Sequence, residues 1–307
     1  MTTDEKLAAI LAAVQTDPGN PGLARDPLDN LFTATKGDFE RACRSIGQTH
    51  EDAVDIETGF FIPTASPPAY ETDGPLGAVF LLRALRIPLQ QVSATAPEPC
   101  GIAIAAGAEV AGLQVERIQM NAGGGPDLMV QVGGWPGLPA THSVTLEQVG
   151  RATDGRYYSM RGRDITNFSR LYDGWRLIPI EQRGVVTIGI GDGGNEIGMG
   201  KIPHETIVKN IPNGDLIHCV VPTDHLIVAG VSNWGAYALA AGIFVLKGIT
   251  PPPDLFDPDR EREILEVMVR EGPLVDGVTG RQEATVDGLS WEEYSRPLIK
   301  IREILAS

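Results

Sequence analysis

The run Gly189-Ile190-Gly191-Asp192-Gly193-Gly194-Asn195-Glu196-Ile197-Gly198-Met199-Gly200-Lys201 constrains this chain more than any other stretch. Ahead of it, Val185-Val186-Thr187-Ile188 is apolar and β-branched, the pattern of a buried strand. Six of the thirteen residues are glycine, so a backbone leaving that strand can approach a ligand with no Cβ atoms in the way. In α/β folds small molecules bind at the carboxyl ends of strands. Glycine interleaved with the oxygens of Asp192, Asn195 and Glu196 therefore predicts a site rather than a plain turn.

The 307 residues allow one large domain or two ordinary ones. A net charge of −15 opposes non-specific binding to nucleic acid or to anionic membranes, since both need a basic face. It leaves room for an anionic small substrate held by a local arginine cluster. The three cysteines, Cys43, Cys100 and Cys219, form no CxxC pair, which disfavours a zinc knuckle or a redox pair. Met1 to Lys6 lacks the basic start of a signal peptide, and the apolar stretch Asn233 to Leu246 is too short to span a bilayer. The expected setting is the cytoplasm, with no membrane or nucleic-acid partner.

Helical spacing is expected over Asp4–Val14 and over Leu28–Ile46, with a loop at 16–27 between them. Residues 1–50 thus read as an N-terminal helical segment packing on the body. Gly59–Ile62 reads as a strand, and a helix follows from Pro75, with Thr72 or Asp73 as its cap. Gly101–Ala111 reads as a helix and Leu113–Ile118 as a strand; the glycine-rich stretch 122–138 reads as a loop and candidate lid. Ser143–Val149 alternates like a strand. It leads into 150–164, a local cationic island with Arg151, Arg156, Arg161, Arg163, Tyr157 and Tyr158. The second half alternates: strand 185–190, helix 204–211, strands 216–221 and 225–229, helix 234–247, then helices 258–271 and 290–305 around a polar turn at 275–280. Such alternation predicts an α/β fold, a mixed or mostly parallel sheet with helices on both faces in a Rossmann-like three-layer architecture.

Two motif classes fit the glycine run poorly. Gly189-x-Gly191-x-x-Gly194 matches a dinucleotide fingerprint formally, but Asp192 would sit beside the pyrophosphate and Pro203 comes too soon for a long helix. Gly191-Asp192-Gly193-Gly194-Asn195-Glu196 resembles the magnesium loop of haloacid dehalogenase-type phosphotransferases. Their DxD nucleophile has a counterpart only in Asp257-Pro258-Asp259, which lies too late in the chain. A cation held by Asp192 and Glu196 remains chemically sound, because hard cations prefer carboxylate oxygens.

Several stretches taken together resemble the C-terminal domain of the D-glutamate cyclase-like family. They are Glu71-Thr72-Asp73-Gly74-Pro75, Glu147 with Gly150-Arg151-Ala152 and Asp154-Gly155, Tyr157-Tyr158-Ser159-Met160-Arg161-Gly162, the glycine run itself, and Ala229-Gly230-Val231-Ser232-Asn233-Trp234-Gly235. The likeness begins near residue 55, so 51–307 reads as the family's α/β domain. The animal cyclase carries a further N-terminal domain resembling hydro-lyases, in whose place this sequence shows short helices.

The resemblance implies a carbon–oxygen lyase (hydro-lyase) converting D-glutamate to 5-oxo-D-proline and water, with no cofactor required by the reaction and a divalent cation, Mg or Mn, possible at Asp192 and Glu196. Such chemistry needs a base, an acid and oxyanion stabilisation. Glu147, Asp192, Glu196 and Tyr158 are the candidate catalytic residues, with Glu147 or Asp192 as base and Tyr157 or Tyr158 as proton donor. Arg151, Arg161 or Lys201 would pair with a substrate carboxylate, and the Gly193 and Gly194 N–H groups would face the oxyanion. Glu71, Thr72, Asp73, Gly74, Asp154, Asn195, Ser232 and Asn233 complete the expected substrate site. The expected partner is an anionic amino acid, with a homo-oligomer possible. A metal-dependent hydrolase or phosphatase-like enzyme, or a module that binds an amino acid or nucleotide, is the alternative.

Overall fold

A computed structural model describes residues 1–19, 22–48, 52–122, 125–132, 139–169, 176, 178, 182 and 184–307. Its strands are β1 (Ala53–Thr58), β2 (Phe61–Ile62), β3 (Ala69–Tyr70), β4 (Gln91–Pro97), β5 (Val115–Ala122), β6 (Gly125–Val132), β7 (His142–Leu146), β8 (Val186–Gly191) and β9 (His225–Val228). Its α-helices are α1 (Thr3–Val14), α2 (Leu31–Ala34), α3 (Asp38–Ser45), α4 (Pro75–Leu85), α5 (Glu98–Val110), α6 (His204–Asn210), α7 (Gly214–Ile217), α8 (Ser232–Lys247), α9 (Pro258–Glu271) and α10 (Trp291–Ala306). Seven strands form one sheet in the order β5-β6-β4-β1-β7-β8-β9, and β2 pairs with β3 apart from it. β4, β1, β7, β8 and β9 run parallel, while β6 is antiparallel to both β4 and β5.

The period-2 alternation of the strands separates two chemistries. Val54, Ile56, Val92, Ala94, Val144, Leu146, Ile188, Ile190 and Ile227 enter one large apolar core with α4, α5 and α8. Leu7, Ile10 and Val14 of α1 and Phe39, Ala42 and Cys43 of α3 join the same core. Leu226 and Val228 point the other way, into a smaller core with Ile197, Ile202, Ile207 and Ile217. On the face opposite the large core, β1, β4 and β7 carry a polar strip: Asp55 accepts from Ser93 Oγ (2.7 Å) and Thr95 Oγ1 (3.1 Å), and Glu57 accepts from Ser143 Oγ (3.0 Å) and pairs with Arg176.

Several local expectations need correction. The central strand β1 and its neighbour β4 escape a search for apolar runs, because Asp55, Glu57, Ser93 and Thr95 interrupt them. Part of the expected loop 122–138 is β6, where Asp127–Val132 pairs with β4; the candidate lid at 133–138 lies outside the described residues. The expected strand 216–221 is a helical turn followed by an extended segment whose Val221 carbonyl accepts from Gly198 and Gly200 N–H groups. The expected helix 28–46 is broken at Gly37, which takes a left-handed φ of 85°.

α4 and α8 cap one another. Asp73, just before α4, accepts from the Ser232 and Asn233 N–H groups at the start of α8 (2.9 and 2.8 Å). Asn233 Oδ1 in return accepts from the Gly74 and Gly77 N–H groups at the start of α4 (2.9 and 2.7 Å). Orphan donors of both helix starts are thereby satisfied without water. A Cβ on Gly77 would lie 2.7 Å from Asn233 Oδ1, so glycine is required where the helices approach. Asn233→Ala leaves the buried Gly77 N–H unpaired, while the Gly74 N–H keeps Asp73 Oδ1 (3.0 Å), and is expected to cost about 1–3 kcal/mol, seen as a lower melting temperature; an unchanged melt would refute the reciprocal cap.

Candidate active site

The carboxyl ends of β1, β7, β8 and β9 converge where the loops carrying Glu71–Gly74, Glu147, Asp192–Glu196 and Ser232–Asn233 meet. A cavity of about 470 Å³ opens there, walled by Glu71, Glu147, Asp192 and Asp287, with Phe60 and Met160 beside them and Arg161 and Arg163 also lining it. Glu147 ends β7 in the left-handed region (φ 46°), a strained conformation for a glutamate. Its Oε2 accepts from Ser232 Oγ at 2.5 Å. Glu196 folds back on its own loop, accepting from the Asp192 and Gly194 N–H groups (3.1 and 2.7 Å). Asn195 is anchored by Nδ2 donating to the Tyr158 carbonyl (2.8 Å), while its buried Oδ1 has no hydrogen-bond partner among the described residues.

The electrostatics of this cluster are unbalanced. Burial first, then repulsion from Glu196, Glu71 and Asp73, pushes the Glu147 carboxyl well above the usual carboxylate range. Burial and the neighbouring charges of Glu147, Asp287 and Asp73 do the same to Asp192. Glu71 and Asp287 are raised likewise, by burial and then by nearby carboxylates. Asp73 is pushed up to about 7 by burial, against the pull of its three backbone donors. Burial raises Glu196 too, opposed by the N–H groups it accepts from. Among the described residues none of these six acids has an ion-pair partner.

Asp287 was not legible as a site residue in the sequence. It arrives on a loop organised by Asp276, whose carboxylate accepts from Val278 N, Thr279 N, Thr285 Oγ1 and Gly288 N (2.7–2.9 Å). Thr72 holds that loop, donating from Oγ1 to the Thr285 carbonyl at 2.7 Å, so Thr72 acts on the loop. Arg163 was also missed; the arginine-rich island was its one signal.

Other expected residues lie elsewhere. Lys201 is bound to Asp38 Oδ2 and the Asp224 carbonyl (both 2.5 Å), which removes it from the cavity. Tyr158 donates its hydroxyl to Asp154 Oδ2 (2.6 Å) and packs with Ile197 and Met199, away from the acids. Tyr157 is buried with Phe60, Val149 and Ile165. Neither Arg151 nor Asp154 lines the cavity. The Gly194 N–H is used by Glu196, so only Gly193 keeps its expected role open. Arg161 stands at the cavity, donating to the Val278 carbonyl at 3.3 Å.

Oxygen atoms dominate this donor set. Glu147, Asp192 and Glu196 offer one oxygen each within 4.8 Å of one another, and Asp73, Asp192 and Asp287 do the same. A hard divalent cation fits such donors. No described helix is long and apolar enough to cross a membrane.

A model of the family described as D-glutamate cyclase-like, C-terminal, matches residues 10–302. The human mitochondrial D-glutamate cyclase is 29% identical over 329 aligned residues, covering 98% of this chain and 52% of that protein. The chain thus spans about half the length of this curated relative.

Proposed function

Because the chain belongs to the D-glutamate cyclase-like family, we propose that it is a lyase cyclising an acidic amino acid, D-glutamate to 5-oxo-D-proline and water. Glu147 carries this reading: a buried carboxyl at the cavity wall, held by Ser232 in a strained backbone. In the cyclisation two protons leave the substrate nitrogen as it bonds to the γ-carbon, and both end on the oxygen that departs as water. A carboxyl raised toward neutrality is suited to carry them in turn. Arg161 and Arg163 hold the α-carboxylate at the cavity rim, and the Gly193 N–H donates to the developing oxyanion.

Six carboxylates would repel a bare glutamate, so the substrate's ammonium and a cation must balance them. A divalent ion at Glu147, Asp192 and Glu196, when bound, would supply an electrophile for the γ-carboxylate. Buried, reduced Cys43, Cys100 and Cys219 support a reducing compartment such as the cytoplasm, although the human relative bears a mitochondrial name.

Incubating the full chain with D- or L-glutamate, with and without Mn²⁺, and resolving 5-oxoproline by chiral chromatography tests this reading. The D-product is expected, and Glu147→Gln should lower its rate by about 10²–10⁴-fold. Absence of product under every condition overturns it. The two carboxylate triads also suit a metal-dependent hydrolase; release of phosphate from a phosphomonoester, without cyclisation, would favour that alternative.

A further inference from the structure

We propose that the carboxylate cluster holds two divalent cations side by side, bridged by Asp192. The inference rests on the proposed lyase reading only for the cations' place beside the substrate. Asp192 belongs to both oxygen triads, one completed by Glu147 and Glu196 and the other by Asp73 and Asp287. Paired metal sites hold their ions about 3.5–4 Å apart, a spacing that one bridging carboxylate allows. Two divalent ions nearly balance the five carboxylates of the triads, whereas one leaves most of their charge uncompensated. All-oxygen donors select Mg²⁺ or Mn²⁺ over softer ions.

Acids alone do not make a metal site, and two further groups point to ligands. Asn195 is 1% exposed and its Oδ1 has no partner among the described residues. A Cβ on Gly193 would fall 2.9 Å from that oxygen, 2.8 Å from Glu196 Oε1 and 2.5 Å from Met160 Sδ, so the unpartnered amide oxygen stands close beside a carboxylate oxygen of the triad, with the Met160 thioether against both. An amide acceptor buried without a donor costs about 1–3 kcal/mol, a loss that ligation offsets. At the other triad, Glu71 is 7% exposed, lines the cavity, and makes no side-chain hydrogen bond to the described residues. Its strongest charged neighbours are Asp287 and Asp73. The first triad therefore has a buried oxygen donor without a partner among the described residues, and Glu71 lines the same cavity as Asp192 and Asp287 of the second.

The test strips the full chain with EDTA and titrates it with Mn²⁺, reading stoichiometry by calorimetry and coupling by electron paramagnetic resonance. Two equivalents per chain with a spin-coupled pair spectrum are expected. Asp287→Asn and Glu196→Gln should each bind one equivalent and lose the pair signal; Asp192→Asn should weaken both equivalents together. Asparagine tolerates the left-handed backbone of residue 287 (φ 54°), and circular dichroism checks that each variant is folded. One equivalent in the parent chain, two uncoupled ions, or two equivalents retained in folded Asp287→Asn would each overturn the pair. Coupled ions without cyclisation of D-glutamate would overturn the lyase reading and leave the pair standing; cyclisation with one ion would do the reverse.

Discussion

Asp192→Asn is expected to lower D-glutamate turnover by about 10³-fold or more and, in the same protein stripped of cations at pH 8, to raise the melting temperature. Both effects follow from crowding. Asp192 stands among Glu147, Asp287, Asp73 and Glu196, and its carboxyl is raised by burial and by their charges. Asparagine keeps the shape and removes one charge, which relieves each neighbour. One pKa unit of interaction is ~1.4 kcal/mol, so relief of several neighbours should yield about 1–3 kcal/mol of stability. On the proposed reading, catalysis loses the cation ligand beside Glu147, worth orders of magnitude. A gain in stability with a loss of activity marks strain kept for function; a residue serving only the fold would lose both. Steady-state kinetics and a thermal melt on one preparation decide it, and unchanged turnover removes Asp192 from the mechanism.

The second large effect concerns pH. For a carboxyl raised in the folded state, the stabilising contribution is complete below its unfolded value and disappears as pH climbs through its folded value. Asp73 runs from 3.8 to about 7, and Glu71, Glu147, Asp192 and Asp287 are displaced in the same direction. The cation-free chain should therefore lose stability from about pH 4 through pH 8, on the order of 4 kcal/mol from Asp73 alone. His142, His218 and His225 act oppositely, since burial lowers each and favours the neutral ring as pH rises. The decisive quantity is thus the difference made by Mn²⁺: negligible at pH 4.5, and roughly 5–10 °C in melting temperature at pH 8. An equal effect of Mn²⁺ at both pH values would show that the cluster is not the binding site.

What the sequence by itself determined is local. The strand before Gly189, the helix started by Pro75 and the glycine-rich bend with Asp192 and Glu196 are each written within a dozen residues, because strand period and turn chemistry act at that range. The same reasoning passed over β1 and β4, whose alternate residues face a buried polar strip, since Asp55 and Glu57 look like surface residues until Ser93, Thr95 and Arg176 meet them. It placed Lys201 beside the substrate on proximity along the chain, whereas Asp38 holds it elsewhere. Only the tertiary structure decided which acids cluster together. Asp73 meets the Asn233 N–H across 160 residues because the sheet sets α4 beside α8, and Asp287 joins them because Asp276 and Thr72 fold its loop back. Charge repulsion between such acids is a property of distance in space, and the order of residues along a chain does not carry it.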